Sequence, residues 1–223
     1  MMIAQRAHWR SVISARAIAV VLFVFFRARL AGAQDFQNWN ELDFTASWKK
    51  VDFLAPVVAR TDPSKSNPLF AATGIVAFMP LTRHIVLVGG YLFADLPQSS
   101  QVAHVPVAAV ATSLNSSHLK VLDQNRFEKL FDYGSGPLRY RNLLLADVPL
   151  DPRQWHMFVD DEIFFNLSNS SWNQNRCQAG VGRRLSTRLR LDLYYLQRSA
   201  PGGAAPAHVL GTILTVRLTH HPL

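Results

Sequence analysis

Past residue 34 the chain alternates apolar and polar residues with a period of two, segment after segment, and carries no convincing amphipathic helix of ten or more residues. In 188–196 the polar Arg188, Arg190 and Asp192 oppose Leu189, Leu191, Leu193 and Tyr195. In 154–167 Trp155, Met157, Val159, Ile163, Phe165 and Leu167 take one side, interrupted by Asp161, and His156, Asp160, Glu162 and Asn166 take the other. In 172–185 Gln174, Arg176, Gln178 and Arg184 oppose Cys177, Ala179, Val181 and Leu185, and near the C-terminus Leu210, Leu214, Val216 and Leu218 alternate with Gly211, Ile213, Thr215 and Arg217. About eleven such segments are predicted, near 39–48, 50–60, 69–80, 84–95, 101–113, 118–131, 138–149, 154–167, 172–185, 188–198 and 207–218. Turn-forming clusters such as Asp62-Pro63-Ser64, Gly134-Ser135-Gly136-Pro137 and Pro201-Gly202-Gly203 separate most of them.

Many of these segments run to about ten to fourteen residues, against about five or six for an ordinary soluble strand and about 9–11 for a tilted strand that crosses a bilayer. An open sheet edge in hydrocarbon leaves each unpaired backbone group costing several kcal/mol, so a spanning sheet must close. The expectation is therefore an all-β fold: a transmembrane antiparallel β-barrel of 10–12 strands. Bacterial single-chain barrels have even strand numbers, which implies that a count of eleven has missed, split or merged one segment.

Energetics then decides which face is which. Arg or Lys at mid-membrane depth on the lipid face costs ~2–4 kcal/mol, so the alternating charges should point inward. That places Glu41, Arg126, Glu128, Arg139, Arg141, Asp160, Glu162, Arg176, Arg190 and Asp192 in a charged lumen, together with Asp43, Arg60 and Arg188. Both signs occur in similar number, as a narrow interior filled with ion pairs requires. Asp160 and Glu162 share a face and are expected to ladder with Arg139, Arg141 and Arg176; a cation or general-acid site is the functional alternative. Trp39, Trp48, Trp155, Trp172, Tyr91, Tyr140 and Tyr195 lie near segment ends or flanks, where interfacial girdles are expected. A soluble lipocalin-like barrel with its apolar face inward is the competing architecture.

The formal charge of +8 would ordinarily suggest nucleic acid. Five of the positive charges, however, lie within residues 1–33, which hold no acid; the remainder carries +3. That segment has a basic start, an apolar run from Ala17 to Phe26 too short to cross a bilayer as a helix, and a small-residue Ala31-Gly32-Ala33 site, the pattern of a cleaved export signal. An uncleaved amphipathic anchor is the alternative, with Arg27 and Arg29 placed awkwardly before the cleavage site. The organisation expected is thus 1–33 signal peptide and 34–223 a single barrel domain, located in a bacterial outer membrane, with no nucleic-acid partner.

Chemistry-bearing motifs are sparse. The single Cys177 excludes an intramolecular disulfide and any CxxC site and falls on the apolar face. Along its strand His156 is ~13 Å from Asp160, too far to share a metal ion. No Gly-x-Ser-x-Gly element occurs, and Ser116-Ser117 and Ser170-Ser171 fall at expected turns. No cofactor, metal or catalytic residue is therefore assigned.

Several segments resemble one family of uncharacterised bacterial proteins, the domain of unknown function 2490 family. These are the acidic-aromatic stretch Phe158 to Leu167, the Asn173-Gln174-Asn175-Arg176 stretch with its Gly180-x-Gly182, and Leu191 to Gln197. Leu138 to Asn142, Arg126-Phe127-Glu128, Gly89-Gly90-Tyr91 and Gln37 to Asn40 also fit, so the resemblance runs from about Gln37 to Leu218. It implies an outer-membrane-type barrel without an established activity, in contact with outer-membrane lipid and the barrel assembly machinery. One departure stands out: where the family tends to carry a Glu-His-Arg-like strand, this chain has Ala103-His104-Val105 and loses both charges. The terminal aromatic of assembly-machinery clients is also missing, and Leu218 is the residue expected to serve as the strand's end.

The function expected from these readings is a narrow channel or structural barrel with a charge-filled lumen, slightly cationic and so favouring small anionic solutes. Two alternatives belong to other classes: an outer-membrane lipid-modifying enzyme, which needs a Ser and a His on one outer face, and a soluble periplasmic lipid-binding barrel. Short turns at Asp151-Pro152 and Thr187 would by rule face the periplasm.

Overall fold

The computed structural model describes residues 36–65, 68–151, 154–202 and 206–218. The expected signal segment lies outside them. Each alternating segment becomes one strand: β1 (Phe36–Trp48), β2 (Val51–Thr61), β3 (Phe70–Pro80), β4 (Ile85–Leu96), β5 (Gln101–Asn115), β6 (Lys120–Lys129), β7 (Leu138–Pro149), β8 (Trp155–Asn166), β9 (Ser171–Arg184), β10 (Leu189–Ser199) and β11 (Ala207–Arg217). Every strand pairs with its sequence neighbour in antiparallel fashion, and β1 pairs with β11 to close the barrel.

The closing pair corrects the parity expectation. In a meander, successive strands reverse direction, so an odd count leaves the first and last strands running the same way. The seam is accordingly parallel, in register from Phe36↔His208 to Thr45↔Arg217. No segment had been missed among the described residues: eleven strands close the sheet by themselves.

The two ends of the barrel differ. One is bounded by residues 49–50, 81–84, 116–119, 150–154 and 185–188; the other by the generally longer connections 62–69, 97–100, 130–137, 167–170 and 200–206. The turns around Asp151 and Thr187 thus share one end, the one with short connections throughout.

Antiparallel registers fix the faces, because paired residues share a side of the sheet. Outward on nine strands stand Val57, Ile75, Tyr91, Val110, Phe127, Leu144, Val159, Leu193 and Leu210, each 41–54% exposed. The interior is zoned rather than uniform. Across β3–β5 and the turn after β6 it is apolar, with Ala94, Ala103, Val105, Val107 and Leu130 in one cluster and Val76, Val88, Ala109 and Ala111 in another. Across β6–β10 and β1 it carries the charges.

Inward glycines on β9 and β11 let rings from the adjoining strand lie flat on the wall. A Cβ on Gly180 would come 2.5 Å from the Phe158 ring, on Gly182 it would strike His156 and Asp192, and on Gly211 the Tyr194 ring. The Gly180-x-Gly182 spacing therefore records close approach on the inward face.

Candidate functional site

The charged interior is centred on Glu128, 1% exposed. Its register partner across β6–β7 is Arg139, with Arg141 two residues further along the same face. Arg126 Nε lies 2.7 Å from Oε1, Arg141 Nη1 donates to Oε1 at 2.6 Å, and Arg139 donates from Nε to Oε2 at 2.8 Å and again through Nη2. Three guanidinium groups thus share one carboxylate. Arg141 also binds Glu162 of β8 through Nη2, with Nε to Oε1 at 2.9 Å, and Arg176 of β9 reaches Glu162 Oε2 at 3.3 Å. The result is a continuous chain of pairs from β6 to β9. Phe164, 1% exposed, lies beneath Arg139, Arg141 and Arg176 at 4.4–5.2 Å, and cation–π contact helps hold the guanidinium planes.

A second group lies nearer the short-turn end. Arg190 Nη2 is 2.7 Å from Asp192 Oδ2, and His156 Nε2 is 3.3 Å from Asp192 Oδ1 and 3.9 Å from Asp147 Oδ2. His156 meets Asp147 on the adjacent β7 and, across Gly182 of β9, Asp192 on β10, which distances along its own strand could not reveal. Among the described residues no group of three or more His, Cys, Asp and Glu is arranged to hold a metal ion.

Some inward residues stay outside the network. Glu41 and Asp160 form no ion pair within 4 Å among the described residues, and Arg139 binds Glu128 rather than Asp160 or Glu162. Arg188 is not luminal: it sits in the exposed turn before β10, and Arg190 is half-exposed at the mouth. Trp39 is likewise no girdle residue. Its odd-numbered position puts it inside, 5% exposed, where the Arg60 guanidinium lies 3.9 Å from its ring and Arg176 5.1 Å. Tyr91 lies on the outer wall at mid-strand, while Trp48 and Trp155 are exposed at the short-turn end.

Sequence reasoning placed Arg60 inside but missed its surroundings. Register brings it opposite Trp39 on β1 and Phe70 on β3, and its guanidinium is 4.3 Å from the Phe70 ring. Among the described residues it makes no ion pair, and its Nε is buried without a hydrogen-bond partner. Only cross-strand register could have revealed this.

Two cavities occupy the interior. One, of ≈ 240 Å³, is bounded by Glu41, Asp160, Glu162, Tyr194 and Leu196; the other, of ≈ 340 Å³, opens toward Tyr133 and Pro137 of the 130–137 connection. Their linings share Arg60, Arg141 and Arg176. A bulge on β9 leaves Asn173 unpaired between Gln174 and Trp172 and adds it to the second cavity.

The outer wall has a polar interruption of its own. Near mid-strand on β6–β9, Asn142 donates to Asp123 Oδ1 at 2.7 Å, Tyr140 to Asn125 Oδ1 at 2.5 Å and Asn175 to Asp161 Oδ1 at 2.7 Å. The outward histidines face tyrosines: His104 bonds Tyr91, and His208 Nδ1 lies 2.5 Å from the Tyr195 hydroxyl. Among the described residues neither is paired with a serine, so the Ser–His arrangement of an acyl hydrolase is not assembled around them there.

Fold and interior together define a class: a closed, eleven-stranded meander barrel with a zoned, arginine-rich interior. Within that class the chain belongs to the family described as protein of unknown function (DUF2490), whose model matches residues 36–206. No curated protein matches the chain.

Proposed function

We propose that the protein is an exported outer-membrane barrel that admits small anionic solutes through a lumen constricted by arginines. The observation that carries this reading is the sharing of Arg60, Arg141 and Arg176 between the two interior cavities. A solute moving from one cavity to the other must pass these three side chains. Arg141 and Arg176 are held on Glu162, so their charge is positioned and partly balanced, while Arg60 adds a cation with no carboxylate in contact. A ring of this kind attracts anions and repels cations, and its crowding keeps any passage narrow.

Support for the membrane setting comes from the outer wall. Large aliphatic and aromatic side chains stand half-exposed on nearly every strand. Large exposed apolar surfaces of this kind mark membrane or partner contacts, and here the apolar wall is interrupted on β6–β9 by the Asp123, Asn142, Asp161 and Asn175 bonds. Strands of 10 to 15 residues have the reach to cross hydrocarbon when tilted. By the rule that short turns face the periplasm, the end with residues 49–50 and 185–188 is assigned there.

Planar-bilayer recording of refolded full-length protein tests the channel. The expected result is a small, anion-preferring conductance that grows, with weaker anion preference, in Arg176→Ala. A complete lack of conductance across solutes rejects the channel and leaves a structural barrel.

A further inference from the structure

The larger cavity has two unlike walls. On one side Ala94, Ala103, Val105 and Leu130 are each 7% exposed or less and present only hydrocarbon. Facing them are Arg60, Arg139, Arg141 and Arg176, with Glu128 as the one carboxylate in the lining. Glu128 is already taken by Arg126, Arg139 and Arg141, and Arg176 is engaged with Glu162 outside this cavity. Arg60 is left over. Its charge is enclosed by the Trp39 and Phe70 rings, its nearest carboxylates act only from beyond ion-pair distance, and its Nε has no acceptor among the described residues.

A buried cation without a counter-ion is destabilising unless something supplies the charge. Arg60 and the apolar wall line the same cavity. We propose that this cavity binds an amphiphilic anion: a short acyl chain laid along Ala94, Ala103, Val105 and Leu130, with its carboxylate or phosphate head on Arg60. Guanidinium forks suit both head groups. A volume of ≈ 340 Å³ is at the small end for a molecular binding site, so the chain is short, or only the end of a longer one enters. Access is from the long-connection end, where Tyr133 and Pro137 border the cavity. This deepens the anion-channel reading, on which it rests for the interior it uses, by naming a ligand class for one chamber.

Full-length protein refolded in neutral maltoside micelles is titrated calorimetrically with octanoate, octyl phosphate, octanol and inorganic phosphate, each against a micelle blank. Saturable binding of octanoate or octyl phosphate is expected, the tighter of the two identifying a free fatty acid or a phosphate-headed lipid as the source. Octanol lacks the head and phosphate lacks the chain, so each should bind at least about tenfold more weakly, given what a charge-assisted hydrogen bond contributes. Arg60→Gln should weaken octanoate about tenfold by the same reasoning, and Ala103→Leu should do so by filling the apolar wall. Heat-modifiable gel mobility confirms that each variant is a closed barrel. Equal binding of octanol and octanoate, equal binding of phosphate and octanoate, absence of saturable binding, or unchanged binding by a folded Arg60→Gln barrel overturns the inference. A silent bilayer with intact octanoate binding rejects the channel alone, and conductance without binding rejects this inference alone.

Discussion

Glu128 concentrates the interior's electrostatics in one side chain. It has four lone-pair sites and three arginines around it, so its carboxylate is nearly saturated. Glu128→Gln leaves those guanidinium groups competing for Glu162 and should cost about 3–5 kcal/mol, as for other buried charges stripped of a partner. Asp160→Asn touches an inward carboxylate with no ion pair among the described residues and should cost less than about 1 kcal/mol. Urea unfolding of the two variants in the same micelle measures the contrast. Inward placement of both residues is legible from alternation, because parity along a strand needs no tertiary information. Their difference is not: Glu128 lies opposite Arg139 only through the β6–β7 register, and Asp160 lies opposite Gln178 through the β8–β9 register. The same blindness put Trp39 in an interfacial girdle, since position near a segment end says nothing about which face a ring occupies.

Among the elements, the β1–β11 seam is distinctive. Its hydrogen bonds are slanted, and parallel pairing is slightly less stable per residue than antiparallel pairing. Amides of β1 and β11 should therefore exchange with solvent deuterium sooner than those of β4 and β5, whose antiparallel register runs unbroken from Ile85↔Thr112 to Leu96↔Gln101. Hydrogen exchange resolved by strand checks this, and equal protection would mean that the seam is compensated elsewhere. Strand limits were largely readable beforehand, each observed boundary falling within three residues of the expected one, because breakers and alternation both mark where pairing stops. Less readable was the lateral division of the barrel. β3–β5 are apolar inside and mostly apolar outside, where His104 bonds Tyr91, while β6–β9 are charged inside and carry the Asp123, Asn142, Asp161 and Asn175 bonds outside. Single-strand patterns separate the two faces of a strand but not what lies beside it.

For the whole molecule, the proposed location yields a direct expectation. Cell fractionation should recover the protein with outer-membrane markers, and unheated samples should migrate differently from boiled ones in gels, as closed barrels do. Recovery in the soluble periplasmic fraction would instead favour a lipocalin-like barrel, for which the apolar patch over β3–β5 would be the binding wall. The sequence by itself determined that the chain is all-β, that its strands are long, where each segment begins and ends, and which residues share a face, because each of these follows from a two-residue period and the breakers that end it. Only the tertiary structure decided that eleven strands close without a twelfth, that the seam is parallel, and that Arg60 lies between two aromatic rings with no acid in contact. Those outcomes depend on which strand lies beside which, and in what register. Closure and register are set by hydrogen bonds between segments far apart in the chain, and a local pattern does not encode them.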